Sequence, residues 1–148
     1  MAFTPGNTNV KKNNYNVFLT CATASPAITN QLIGACLAEP SIMEEKGDDV
    51  KINDGTSPVV SKNCSVAFTV VNVNKDNLDA LRSIVNKPCS VVLSTASSHS
   101  GTVAPGEWKI SNVFIFPALT AKGNAINQIE CTGTKEVGVD DTTTVTTA

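Results

Sequence analysis

Residues Ser65 to Leu93 constrain the fold more than any other stretch, because they spell strand, helix and strand in immediate succession. Val66, Phe68 and Val70 alternate with Ser65, Ala67 and Thr69, one apolar and one small or polar face at period two. That pattern predicts a half-buried strand. Asn74 or Asp76 can then cap the first backbone donors of a helix over Asp76 to Asn86. In it Leu78, Leu81, Ile84 and Val85 recur at three- and four-residue spacing, leaving Asp79, Arg82 and Ser83 outward. Lys87 suits the carboxyl end, Pro88 cannot continue a helix, and Cys89, Val91 and Leu93 follow as a second strand. The unit reads as a helix lying on a sheet.

Around it, 148 residues with 41% hydrophobic and 16% charged side chains suffice for one domain with a real core. Tyr15, Val17 and Leu19 interleave with Asn16, Phe18 and Thr20 as a strand buried on both faces at its centre. Ser25 and Pro26 make a helix start, with Ile28, Leu32 and Cys36 on one stripe through Leu37, although Gly34 and the β-branched residues dilute it. Trp108, Ile110, Val113 and Ile115 share a face once the register changes near Ser111 and Asn112. That change fits a bulge or a switch between sheets, and Phe114 and Phe116 face the other way. A glycine-centred turn at residues 122–124 precedes a last strand carrying Ile129 and Cys131. The expected fold is mainly β with one or two short helices, a β-sandwich or half-barrel with a flanking helix. Its parts are an arm over residues 1–14, a single domain over 15–136 and a threonine-rich, disordered or partner-ordered tail over 137–148.

Two segments stand apart from this frame. From Pro40 to Pro58, Glu44, Glu45, Asp48, Asp49 and Asp54 outnumber Lys46 and Lys51, with Val50 and Ile52 the only strand-like pair. Two readings fit: a long solvated loop, a kind usually functional or ordered by a partner, or a hairpin with its tip at Asp54 and Gly55. The second, residues 94–106, is rich in Ser, Thr, Gly and Pro and reads as a flexible loop.

The search for chemistry returns little. A net charge of −2 is far from the basic face of a protein that holds nucleic acid by its phosphates. Five cysteines, Cys21, Cys36, Cys64, Cys89 and Cys131, are dispersed with no Cys-x-x-Cys pair, so they read as buried free thiols of a reducing compartment. The single histidine, His99, lies among Ser97, Ser98 and Ser100 without a Gly-x-Ser-x-Gly turn, and reads as an exposed loop residue rather than a base. Asp48 and Asp49 lack calcium-loop spacing, and no phosphate-binding glycine pattern opens a helix. No signal-peptide core or span of ~20 apolar residues is present, so a soluble protein made in cytoplasm is expected. No catalytic residue, cofactor or metal is assigned. Trp108, on an alternating strand, reads as a core or subunit contact.

The order of elements resembles the tail tube proteins of long-tailed bacteriophages and the tube-forming proteins of contractile injection systems. The matching features are the acidic excursion before Ser65 to Val73, the helix from Asp76 to Asn86, and the strand from Cys89 to Ser94. A closing pair follows, Ile110 to Pro117 and Ile126 to Gly133, flanking a glycine turn. They cover a little over half the chain. The resemblance implies subunits that continue one another's sheets into rings, hexameric in that family, which stack through loops and arms. It makes the protein its own partner alongside other virion components, with DNA only as passing cargo and no membrane. Mapped onto this chain, Glu44, Glu45, Asp48, Asp49, Val50, Ile52 and Trp108 become candidate contacts between subunits. Another virion role, such as head-to-tail joining or capsid decoration, would share the same composition. A carbohydrate-binding module would need more exposed aromatics than one Trp and one Tyr supply.

Overall fold

A computed structural model describes residues 14–33, 36, 39–71, 73–123 and 126–148. Apart from Asn14, the arm of residues 1–14 lies outside them, as do Gly34, Leu37 and Asn124. The chain forms two antiparallel sheets and one short helix, a β-sandwich with a helix at its flank. In order, the elements are β1 (Asn16–Cys21), β2 (Ile28–Leu32), β3 (Ser41–Lys46), β4 (Ser61–Val70) and α1 (Lys75–Arg82). They continue with β5 (Pro88–Ser94), β6 (Trp108–Phe114), β7 (Phe116–Thr120), β8 (Gln128–Gly138) and β9 (Val145–Thr147). One sheet runs β2-β1-β5-β6-β9 and the other β3-β4-β8-β7.

Alternation along β4 and β8 builds the shared core. Cys64, Val66, Phe68 and Val70 from β4 and Ile129 and Cys131 from β8 point at Val17, Leu19, Cys21, Val91, Leu93 and Ile110 from the facing sheet. These side chains are all at most 3% exposed, so period two in the sequence becomes burial in the sandwich. The helix closes one side with Leu81, and Ile84 is buried just beyond it. Of the two capping candidates it is Asn74 that acts, accepting from the Asn77 N–H at 2.9 Å, an arrangement worth about 1 kcal/mol. The helix stops at Arg82, and residues 83–87 continue as turns with Asn86 at a φ of 61°.

The register change at Ser111 and Asn112 is a bulge. Cys89 faces Val113 and Val91 faces Ile110, so the β6 side holds one residue more, with Asn112 at a φ of 57° absorbing it. Immediately afterwards the chain leaves one sheet for the other: β6 ends at Phe114, β7 begins at Phe116, and Ile115 between them is buried. Gly133 makes that crossing possible, because a Cβ there would lie 2.6 Å from the Phe114 carbonyl oxygen.

Three expectations are corrected. Residues 28–32 form a strand rather than a helix. β2 pairs with β1 at Phe18–Leu32 and Cys21–Ile28, and the Thr20 hydroxyl takes the Asn30 N–H at 2.9 Å, so strand pairing overrides the helical stripe. The tail is ordered by its own chain. β8 continues to Gly138, Asp141 caps a turn by accepting from the Thr143 and Thr144 N–H groups, and β9 adds to the edge of β6. Residues 95–106 are a cover rather than a free loop. They fold back over the outer face of the five-stranded sheet, where Phe18 and Val92 stand opposite each other at 2% and 4% exposure. Asn16 donates to the Ala96 carbonyl at 2.8 Å, and Phe18 meets the His99 ring at 5.8 Å.

Candidate assembly surfaces

The acidic excursion is a hairpin, the second of the two sequence readings. β3 pairs with β4 from Ser41–Ala67 to Lys46–Lys62, and the two chains then stay together beyond the sheet as an irregular ribbon. Gly47 donates to the Ser61 carbonyl at 2.9 Å, with no room for a Cβ against Ser61. Asp48 donates its N–H to Ser61 Oγ at 2.8 Å, and Asp49 bridges Val59. Val50 donates to the Pro58 carbonyl and Ile52 to that of Thr56. At the tip Gly55 takes a φ of 89°. Asp54 accepts from the Thr56 hydroxyl at 2.6 Å and its N–H at 2.9 Å, which lowers the Asp54 pKa.

The nominated side chains divide along this ribbon. Glu44 reaches Lys62 at 3.2 Å, and Lys62, 15% exposed, also donates to the Asp141 carbonyl at 2.6 Å, fastening the hairpin base to the turn before β9. Glu45 is exposed, and Asp49 pairs with Lys46 at 3.2 Å in solvent. Exposed pairs of this kind contribute under ~1 kcal/mol. Val50 and Ile52 are 52% and 51% exposed, and Val60 on the returning chain is 45% exposed. A two-stranded ribbon is marginal by itself, and apolar side chains left half exposed on one contribute little to the isolated fold.

Trp108 is 42% exposed and lines a groove of about 310 Å³ with Tyr15, Pro40, Ser41, Ile42 and Leu93. The groove opens beside the first residues of β3. The structure therefore brings Trp108 to the root of the hairpin and not to its tip. Phe114 and Phe116, not nominated from the sequence as contacts, are 62% and 61% exposed and flank a groove of about 250 Å³ with Val85, Asn86, Thr132 and Thr134. Their signal was present: they alternate against Val113 and Ile115, so a strand with one buried apolar face carries a second apolar face outward. A hollow of about 280 Å³ between β2 and α1 is lined by Leu19, Ile28, Leu32, Val70 and Leu81, with the amides of Gln31 and Asn77.

His99 overturns the exposed-loop reading. Its side chain is 2% exposed, Nδ1 lies 3.5 Å from Glu107 Oε2, and Nε2 is buried without a hydrogen-bond partner among the described residues. The serines beside it are exposed. Glu107 is held ionised chiefly by the Ser94 hydroxyl, then by the Ala104 N–H at 2.7 Å, with the neighbouring His99 adding to both, and its pKa falls below the ordinary 4.5. The cluster fastens the cover over Phe18. Because the folded pKa is depressed, this contribution is complete above the ordinary carboxylate range and is lost as pH falls through the lowered value. Denaturant midpoints of the parent and of Glu107→Gln should therefore differ clearly at pH 7 and converge toward pH 3. A gap that stays constant with pH would contradict the assignment.

All the described cysteines are free thiols, four of them buried. Among the described residues no three His, Cys, Asp or Glu side chains stand where a metal ion could be held, and no helix is long and apolar enough to cross a membrane. No protein-family model matches the chain, and no curated protein matches its sequence.

Proposed function

We propose that the protein is a structural subunit that assembles with copies of itself, as a tail tube subunit of a virion whose stacked rings enclose a passage for DNA. The observation that carries this reading is the hairpin of residues 41–60, which projects three half-exposed apolar side chains, Val50, Ile52 and Val60, beyond the sheet. Such a ribbon is of use once a neighbour covers it. The four-stranded sheet ends in β3 on one side and β7 on the other, and both edges are free to receive a strand within the described chain. β3 offers Glu44, Glu45 and Lys46, while β7 carries no charged side chain, so a β3 edge meeting a β7 edge avoids setting like charges against each other. Joining the sheets edge to edge makes a ring, and the ribbon then reaches the ring above or below. Small net negative charge suits a conduit, since phosphates pass without being held.

Negative-stain electron microscopy of the purified protein, paired with sedimentation velocity over a wide concentration range, tests this. Rings or tubes are expected. Discrete rings that never stack would favour a head-to-tail joining role, and a monomer at every concentration would overturn self-assembly.

A further inference from the structure

β1 and β5 run antiparallel through the interior of the five-stranded sheet, in a register that sets Asn16 opposite Ser94 and Thr20 opposite Ser90. The paired register ends at Thr20–Ser90; continued by one step, it sets Cys21, the last residue of β1, against Cys89, the second residue of β5. Both face the core, at 0% and 1% exposure. Their thiols are neighbours: Cys21 takes part in the hydrogen bonding of Cys89, whose Sγ also donates to the Lys87 carbonyl at 3.3 Å. Directly opposed residues of an antiparallel pair have Cα atoms about 4.5–5.5 Å apart. A disulfide spans roughly 4.4–6.8 Å between the same atoms. No other two described cysteines stand opposite each other in a strand register, although Cys36 lies near enough to Cys131 to add, after burial, to the rise of the Cys131 thiol. Cys131 is opposed by Phe68 and Pro117, Cys64 by Glu44 and Lys135, and Cys36 makes an isolated bridge to Val70.

We infer that Cys21 and Cys89 form a latent cross-strand disulfide, a modification site at which a small-molecule disulfide converts two core thiols into a covalent staple between β1 and β5. The thiolate of one cysteine attacks oxidised glutathione and releases one glutathione. The second cysteine then attacks the mixed disulfide and releases another. Two electrons pass to the oxidant's S–S bond, and the two thiol protons end on the two glutathiones. Burial, with Cys21 beside it, pushes the Cys89 thiol up to about 12, so thiolate is scarce while the sheet is closed. Exchange therefore proceeds through local opening of the β1–β2 hairpin, whose register already shifts between Leu19 and Cys21 at the sheet edge.

The full-length protein is incubated with oxidised glutathione in urea below its unfolding midpoint, and hydrogen exchange verifies that β1 opens. Remaining thiols are capped with N-ethylmaleimide in denaturant, and the protein is cut without reduction by chymotrypsin, which separates Cys21 from Cys36 after Leu32. The expected map links Cys21 to Cys89 and finds Cys36, Cys64 and Cys131 capped. The melting temperature rises by roughly 10 °C, as expected for closing so long a loop, and dithiothreitol reverses the rise. Cys21→Ala should lose both bond and rise, and the map of the parent protein decides the matter even if that variant does not fold. A Cys36–Cys131 or other linkage, a glutathione adduct persisting on Cys21 or Cys89, or five capped thiols despite verified opening would each overturn the inference.

Discussion

Phe68→Ala is expected to destabilise the protein by about 3–5 kcal/mol and to lower its melting temperature by roughly 10 °C. Phe68 sits toward the end of β4, opposite Cys131 on β8, and is 2% exposed. Its ring belongs to the core between the sheets, and the ladder to β8 holds the backbone of β4 at that position. The cavity left by alanine therefore persists instead of collapsing, and the cavity term adds to the lost transfer energy. A control of identical chemistry is available. Phe116→Ala, at 61% exposure, should change the unfolding free energy by less than about 0.5 kcal/mol. Urea unfolding with a shared slope would measure both; equal effects at the two sites would mean that the core is not where the burial places it.

The second large effect concerns assembly. Replacing Val50 and Ile52 together by aspartate should weaken association by roughly 2–4 kcal/mol per contact, about 30- to 1,000-fold, while leaving the monomer's melting temperature within about 1 °C. Both side chains are half exposed and stand outside the buried core, so the isolated fold is expected to lose little. In an assembly the same positions would carry two unpaired carboxylates into a covered contact. Sedimentation and light scattering read the association, and calorimetry at low concentration reads the fold. Unchanged assembly would show that the ribbon is not the contact, even if the protein does form rings by its sheet edges.

The parts of the fold legible in the sequence were those governed by local periodicity. Val66, Phe68 and Val70 alternate without interruption, Asn74 supplies a cap, and Pro88 ends what precedes it, so β4, α1 and β5 follow from neighbours in the chain. At residues 28–32 the sequence imitates a helix start, with Pro26 ahead of Ile28 and Leu32 on one stripe. Only the pairing with β1, together with the Thr20 contact to Asn30, shows that the stripe is a strand. The threonine-rich tail carries no apolar alternation, yet Val145, Thr146 and Thr147 need only a vacant edge, and β6 provides it. His99 was beyond the reach of periodicity altogether. Its burial depends on Phe18 and Glu107, the first of which lies on a strand far away in the chain. Of the candidate contacts, the hairpin was visible as an acidic break in pattern. The groove at Trp108 was not, because Tyr15, Ile42 and Leu93 reach it from parts of the chain far apart in sequence.

The single-residue passage from β6 to β7 has a mechanical consequence. With Ile115 buried and Gly133 packed against the Phe114 carbonyl, there is no slack between the sheets for one to slide along the other. A pull on the hairpin at β3 travels through β4 and β8 into β7, and from there along one unbroken run of backbone into β6. The two sheets are thus tied through one buried residue, so a strain set up at the edge of one is expected to pass into the other through the backbone and not to be taken up between them.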